Sequence, residues 1–142
     1  RALRIAWIGA GFAFAITETI GLVAALFPHA WLALFDSDPT MLDAGVRYLH
    51  AVGPFYGMLG LGLSLYFASQ GAGRMLWPLI ANFLRLAIVA GGGWLALRLG
   101  GDLTHLFIIL AVALTALGLI NAGAIAGGAW FGRPARPLPA QA

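Results

Sequence analysis

Four stretches of about twenty almost uninterrupted apolar residues constrain this chain more than any other feature. They run from about Ile5 to Phe27, Val46 to Ser69, Leu76 to Leu97 and Leu103 to Phe131. A helix of about 20 such residues crosses the ~30 Å hydrocarbon of a bilayer. Backbone groups in lipid must be satisfied internally, and the alternation of a membrane barrel is absent, so each stretch is expected to be a helix. The expected fold class is all-α: an integral membrane bundle of four transmembrane helices, with the lipid bilayer as its first partner. Charge agrees, since 9% of residues are charged where a soluble domain carries about 25%.

The connections carry their own punctuation. Pro28 closes the first span, and Trp31 and Phe35 beyond it suit an interfacial anchor. In Asp36-Ser37-Asp38-Pro39, Asp38 can cap a helix and Pro39 suits its first position, so the second helix is expected to start before the membrane. Gly71-Ala72-Gly73 and Gly100-Gly101-Asp102 break the chain between the later spans. Residues 1–132 read as one four-span unit and 133–142, with three prolines, as a disordered cytoplasmic tail. The chain starts at Arg1 without a Met or a signal-peptide core, and is expected to begin inside a longer protein.

Arginine bias sets orientation. Arg1, Arg4, Arg74, Arg133 and Arg136 fall on one side, and Arg47 and Arg98 on the other with Asp36, Asp38, Asp43 and Asp102. Both ends are therefore expected in the cytoplasm. The net charge of +3 forms no basic stripe, so no nucleic-acid partner is expected. There is no Cys, the three histidines lack metal-ligand spacing, and no nucleophile has a base near it in sequence. Nothing points to an enzyme, a metal or a cofactor. His29 and His105 are expected in or near loops.

Ionisable groups at bilayer depth are costly, about 3 kcal/mol for a central charge. Glu18 lies near the middle of the first span and Arg85 well inside the third, after Asn82. At ~1.5 Å per residue they are about 20 Å and about 15 Å from the cytoplasmic ends of their spans. Glu18 is a candidate for proton or cation coupling, opposite Arg85. A static ion pair and a neutral Glu18 are the alternatives. Gly53-Pro54 should kink the second helix. His50, Tyr48 and Tyr56 around that kink can line a substrate cavity, or serve as interfacial tyrosines beside a packing kink. Gly53-x-x-x-Gly57 and Gly60-x-x-x-Ser64 are small-residue faces for close helix approach. Gly91-Gly92-Gly93 is a candidate flexible point.

Residues 60–74, from Gly60-Leu61-Gly62 through Tyr66-Phe67-Ala68-Ser69 to Gln70-Gly71-Ala72-Gly73-Arg74, resemble the end of the tenth span of MATE multidrug-efflux transporters. The Gln-Gly-x-Gly turn is the most specific part. Phe27-Pro28, Trp31, Leu34-Phe35, Asp38-Pro39, Tyr48-Leu49 and Pro54 resemble that family's connection between spans nine and ten. Pro78, Asn82, Arg85 and Gly91-Gly92-Gly93-Trp94 resemble its eleventh span. The resemblance implies a twelve-span transporter of two lobes in the bacterial inner membrane, of which this chain supplies about spans nine to twelve and eight more spans are the partner. It also implies efflux of organic cations or amphipathic compounds driven by sodium ions or protons. Several members of that family carry an acid within the tenth span. Here only Asp43 is present, at the start of that helix and outside the membrane. Coupling then belongs to the other lobe or to Glu18. The alternatives are a four-span exporter acting as a dimer, with Glu18 in its first span, and a membrane scaffold that transports nothing. No internal repeat divides the four spans.

Overall fold

A computed structural model of the chain describes residues 1–35 and 37–130. The expected tail at 133–142, Phe131 and Asp36 lie outside the described residues. The described chain is helical: α1 (Ala2–Leu26), α2 (Pro28–Leu32), α3 (Pro39–Val52), a 3₁₀ turn (Gly53–Phe55), α4 (Tyr56–Gly71), α5 (Leu76–Arg98) and α6 (Leu103–Ala126). Four segments are long and apolar enough to cross a membrane: α1, the 33-residue run Pro39–Gly71, α5 and α6.

The local signals act as the residue chemistry requires. The Asp38 carboxylate accepts from Thr40 N at 2.8 Å with Pro39 in the first turn, so α3 starts outside the span. α4 ends in a Schellman turn, where Gly73 N donates to Gln70 O and Arg74 N to Ser69 O, both at 2.9 Å. Gly73 takes φ +66°, a conformation a Cβ disfavours. Gly100 closes α5 in the same way. His29 belongs to short α2 rather than to a loop, because Pro28 starts a new helical turn as α1 ends. His105 lies in the first turn of α6, where the Asp102 carboxylate caps the helix by accepting from His105 N at 3.3 Å and lies 2.6 Å from His105 Nδ1. α6 stops at Ala126, short of the expected end near Phe131, because the chain turns there with Gly128 N donating to Ile125 O and Ala129 N to Ala124 O.

The helices stand side by side in the order α1, α3/α4, α6, α5. α6 is the hub, with α4 and the end of α3 on one side and α5 on the other, and α1 lies against α4. The start of α1 (Ala2, Ile5, Ala6), the end of α4 (Ala68, Gly71, Ala72) and Trp130 meet at one end of the bundle. Arg1, Arg4 and Arg74 are therefore at that end, and Asp38, Asp43, Arg47, Arg98 and Asp102 at the other. Trp130 Nε1 donates to the buried Ser69 Oγ at 3.1 Å and ties the end of α6 to α4.

Lipid is as apolar as leucine, so membrane helices associate through close packing rather than through the hydrophobic effect. The α1–α4 interface shows this. A Cβ on Gly21 would overlap the Gly53 carbonyl, and one on Gly57 would come within 2.6 Å of Glu18 Oε2. A Cβ on Gly60 would meet Ala13 O at 2.8 Å. Both small-residue faces of the second span thus work as expected, against α1. The three glycines at 91–93 lie within the continuous helix α5, where Gly92 packs against Ile109 of α6 and Gly93 against Leu106.

Candidate functional site

The break at Pro54 builds the site. Pro54 has no N–H, and Tyr56 N bonds to Gly53 O in a 3₁₀ turn, so α4 restarts at Tyr56 with orphan amides in its first turn. Deep in a membrane such amides need acceptors. Glu18 of α1 supplies one, its Oε2 accepting from Gly57 N at 2.7 Å. A carboxylate also suits the positive end of a helix. Glu18 is thus a cap provided across the helix interface.

Beside this cap, a groove of about 300 Å³ opens between α1 and α5, with α4 and α6 beneath. Tyr48, Tyr56 and Arg85 form its polar lining together with Thr17, and Ile20, Leu59, Leu110 and Leu114 its apolar walls. The break turns the chain so that Tyr56 Oη donates to Tyr48 Oη at 2.9 Å. Tyr48 is held in turn by an edge-on contact with Phe107, the ring centres 5.2 Å apart. Thr17 donates to Ala13 O of its own helix at 2.7 Å.

The structure brings together two of the five candidates for coupling or substrate contact, Tyr56 and Arg85. Glu18 lies one residue from the groove wall at Thr17, facing Gly57 instead. It makes no ion pair with Arg85; Asp43 pairs with Arg47 at 2.9 Å and Asp102 approaches His105 at 2.6 Å, both at the end of the bundle away from Arg1 and Arg74. Depth along two helices fixes height but not azimuth, and α1 presents Glu18 to α4. His50 is exposed and does not line the groove, since two residues along a helix rotate it some 200° from Tyr48. Asn82 donates to Pro78 O of its own helix at 3.3 Å. At Pro54 a 3₁₀ turn separates α3 from α4, and Gln70, Gly71 and Gly73 lie in the turn that ends α4, where Gln70 Nε2 donates to Tyr66 Oη at 3.3 Å.

Sequence reasoning missed Thr17 and the four apolar wall residues, which carry no chemistry of their own. It also missed Asn121, buried in α6, whose Nδ2 donates to Leu117 O at 3.0 Å while its Oδ1 has no partner among the described residues. A second groove of about 550 Å³ lies on the other side of α6, between it and Ala51 and Phe55. Its one hydroxyl, on Thr115, donates to Ala111 O at 2.9 Å, so the groove is effectively apolar.

Residues 1–95 match the family model MatE, and so include α1 to α4 and α5 as far as Leu95, with Glu18, Tyr48, Tyr56 and Arg85. The chain belongs to the MatE family. A curated relative, the probable multidrug resistance protein NorM of Thermotoga maritima, is 26% identical over 84 residues. That stretch is 59% of this MatE chain and 18% of the relative, so the chain spans under a fifth of the length of the protein it matches. No solved structure matches. The MatE match ends before α6, so the wall formed by Leu110 and Leu114 lies beyond the matched residues.

Proposed function

We propose that this chain supplies four spans of a secondary-active multidrug exporter, in which organic cations or amphipathic compounds leave the cell against inward sodium ions or protons. In this reading the protein lies in the bacterial inner membrane with both ends of the chain in the cytoplasm. Eight further spans complete two lobes, and the groove between α1 and α5 is part of a midplane cavity that opens to each side in turn. No cofactor and no enzymatic step are involved. Membership of the MatE family carries the reading. The groove supports it, because apolar walls with a few polar groups suit varied amphipathic ligands.

Coupling has a physical candidate in Glu18. A proton or sodium ion arriving at its carboxylate competes with Gly57 N for the same oxygen, and so loosens the joint between α1 and the start of α4. The test is ethidium efflux by the full-length protein in vesicles, with a sodium or a pH gradient imposed in turn. The reading predicts efflux that needs one of the two gradients and is uncoupled by Glu18→Gln. Efflux that runs equally without either gradient overturns the antiport mode, and unchanged coupling in Glu18→Gln removes Glu18 from that role.

A further inference from the structure

Arg85 is the unusual member of the groove. It lies nine residues into α5, about 14 Å along the helix at ~1.5 Å per residue, close to the middle of a span. A guanidinium keeps its charge there and carries five N–H donors. Among the described residues it makes no hydrogen bond or ion pair. The carboxylate nearest in depth, Glu18, is committed to Gly57 N. Asp43 and Asp102 are held by Arg47 and His105 at the end of the bundle away from Arg1 and Arg74.

The remaining polar lining leans the same way. Tyr56 donates to Tyr48, which leaves the Tyr48 hydroxyl proton for another acceptor. Thr17 spends its proton on Ala13 O. Among the described residues, no carboxylate lines the groove. It therefore offers a fixed positive charge and a phenol proton beside an apolar wall. A purely cationic ligand meets repulsion here, whereas an anionic group meets charge-assisted hydrogen bonds. A lipid phosphate does not reach this depth, about half of a ~30 Å hydrocarbon layer from either surface.

We propose that this groove is a site for the acid end of an amphipathic compound, with Arg85 and the tyrosine pair taking a carboxylate and Ile20, Leu59, Leu110 and Leu114 its apolar body. The proposal rests on the exporter reading and narrows it: among amphipathic compounds, carboxylates and zwitterions are favoured at this point of the path over simple cations.

The test is equilibrium binding to the full-length protein in detergent, read by fluorescence anisotropy with rhodamine B, which carries a free carboxylate, and with its ethyl ester, which does not. The wild type is expected to bind the acid at least tenfold more tightly than the ester, the low end of what hydrogen bonds to a charged group contribute. Arg85→Gln should abolish that preference while the ester binds as well as before or better, and Arg85→Lys should keep part of it. The double variant Tyr48→Phe/Tyr56→Phe, which leaves the charge in place, should lower the preference several-fold. Equal binding of the two dyes by the wild type overturns the proposal, as does a preference that survives Arg85→Gln. Neither result touches export, which the gradient-driven efflux assay decides separately.

Discussion

Replacing Glu18 by alanine removes the acceptor for Gly57 N and leaves an orphan amide at membrane depth. A hydrogen bond to a charged group contributes ~1.5–3 kcal/mol, and a carboxylate at a helix N-terminus adds ~0.3–1 kcal/mol. Glu18 is only half-buried, which brings the expected loss down to about 1–2 kcal/mol once screening is allowed for. Glu18→Gln keeps a neutral acceptor; neutral bonds between membrane helices average ~0.6 kcal/mol, so it should retain about a third to a half of the effect. The cause can be isolated through Pro54. In Pro54→Ala, α4 can continue from α3, and Gly57 N can find Gly53 O within one helix. The cost of Glu18→Ala should then fall to a few tenths of a kcal/mol. Unfolding of the full-length protein by denaturing detergent measures all four proteins of this cycle. An equal cost of Glu18→Ala with and without Pro54→Ala, or a Glu18→Gln protein less stable than Glu18→Ala, would refute the cap.

Other consequences can be checked in the same preparations. Gly21→Ala drives a Cβ into the Gly53 carbonyl and should cost ~1–3 kcal/mol, whereas Gly91→Ala, with open space around it, should be neutral or stabilising by up to ~1 kcal/mol. Thermal unfolding separates the two, and equal behaviour would discount the α1–α4 contact. Trp130→Phe removes the donor to the buried Ser69 Oγ and should make the end of α6 exchange amide hydrogens faster, by about fivefold for a bond worth ~1 kcal/mol. Asp102, fully exposed, has its carboxyl held below the ordinary range, first by the hydrogen bond from the His105 side chain and then by the His105 backbone amide. A lowered folded-state value means that the cap is present above the ordinary carboxylate range and is lost as pH falls through and below it. Amide signals from the first turn of α6 should shift in that acidic window in the wild type and not in Asp102→Asn.

What the sequence made legible was local. Four spans follow from length and apolarity, the start of α3 from Asp38-Pro39, the break from Gly53-Pro54 and the turn from Gln70 to Gly73. Each depends on residues within a turn or two of one another. Glu18 and Arg85 were legible as costly groups at membrane depth, but their partners were not. The contact from Glu18 to Gly57 spans 39 positions and depends on how α1 rotates against α4. It had a signal all the same: a proline can break a span, the helix that restarts after it has first-turn amides without acceptors, and an acid on an adjacent span is a natural one. His50 shows the opposite case, because its rotation away from Tyr48 could have been read from helical periodicity alone. The groove walls stayed hidden, since an isoleucine facing a ligand and one facing lipid look alike in sequence.

The central claim is that the face between α1 and α5 is a ligand path within the membrane, and that the apolar groove on the other side of α6 is not. The chain contains no cysteine, so single cysteines can be placed in a cysteine-free full-length protein at Leu59, on the first face, and at Val112, on the second. The measurement is the rate of alkylation of each by a charged, membrane-impermeant thiol reagent, with and without a transported amphiphile. The account predicts labelling at position 59 that slows in the presence of the amphiphile, and little labelling at position 112 under either condition. Equal labelling at the two positions, or labelling at 59 indifferent to the amphiphile, would contradict it.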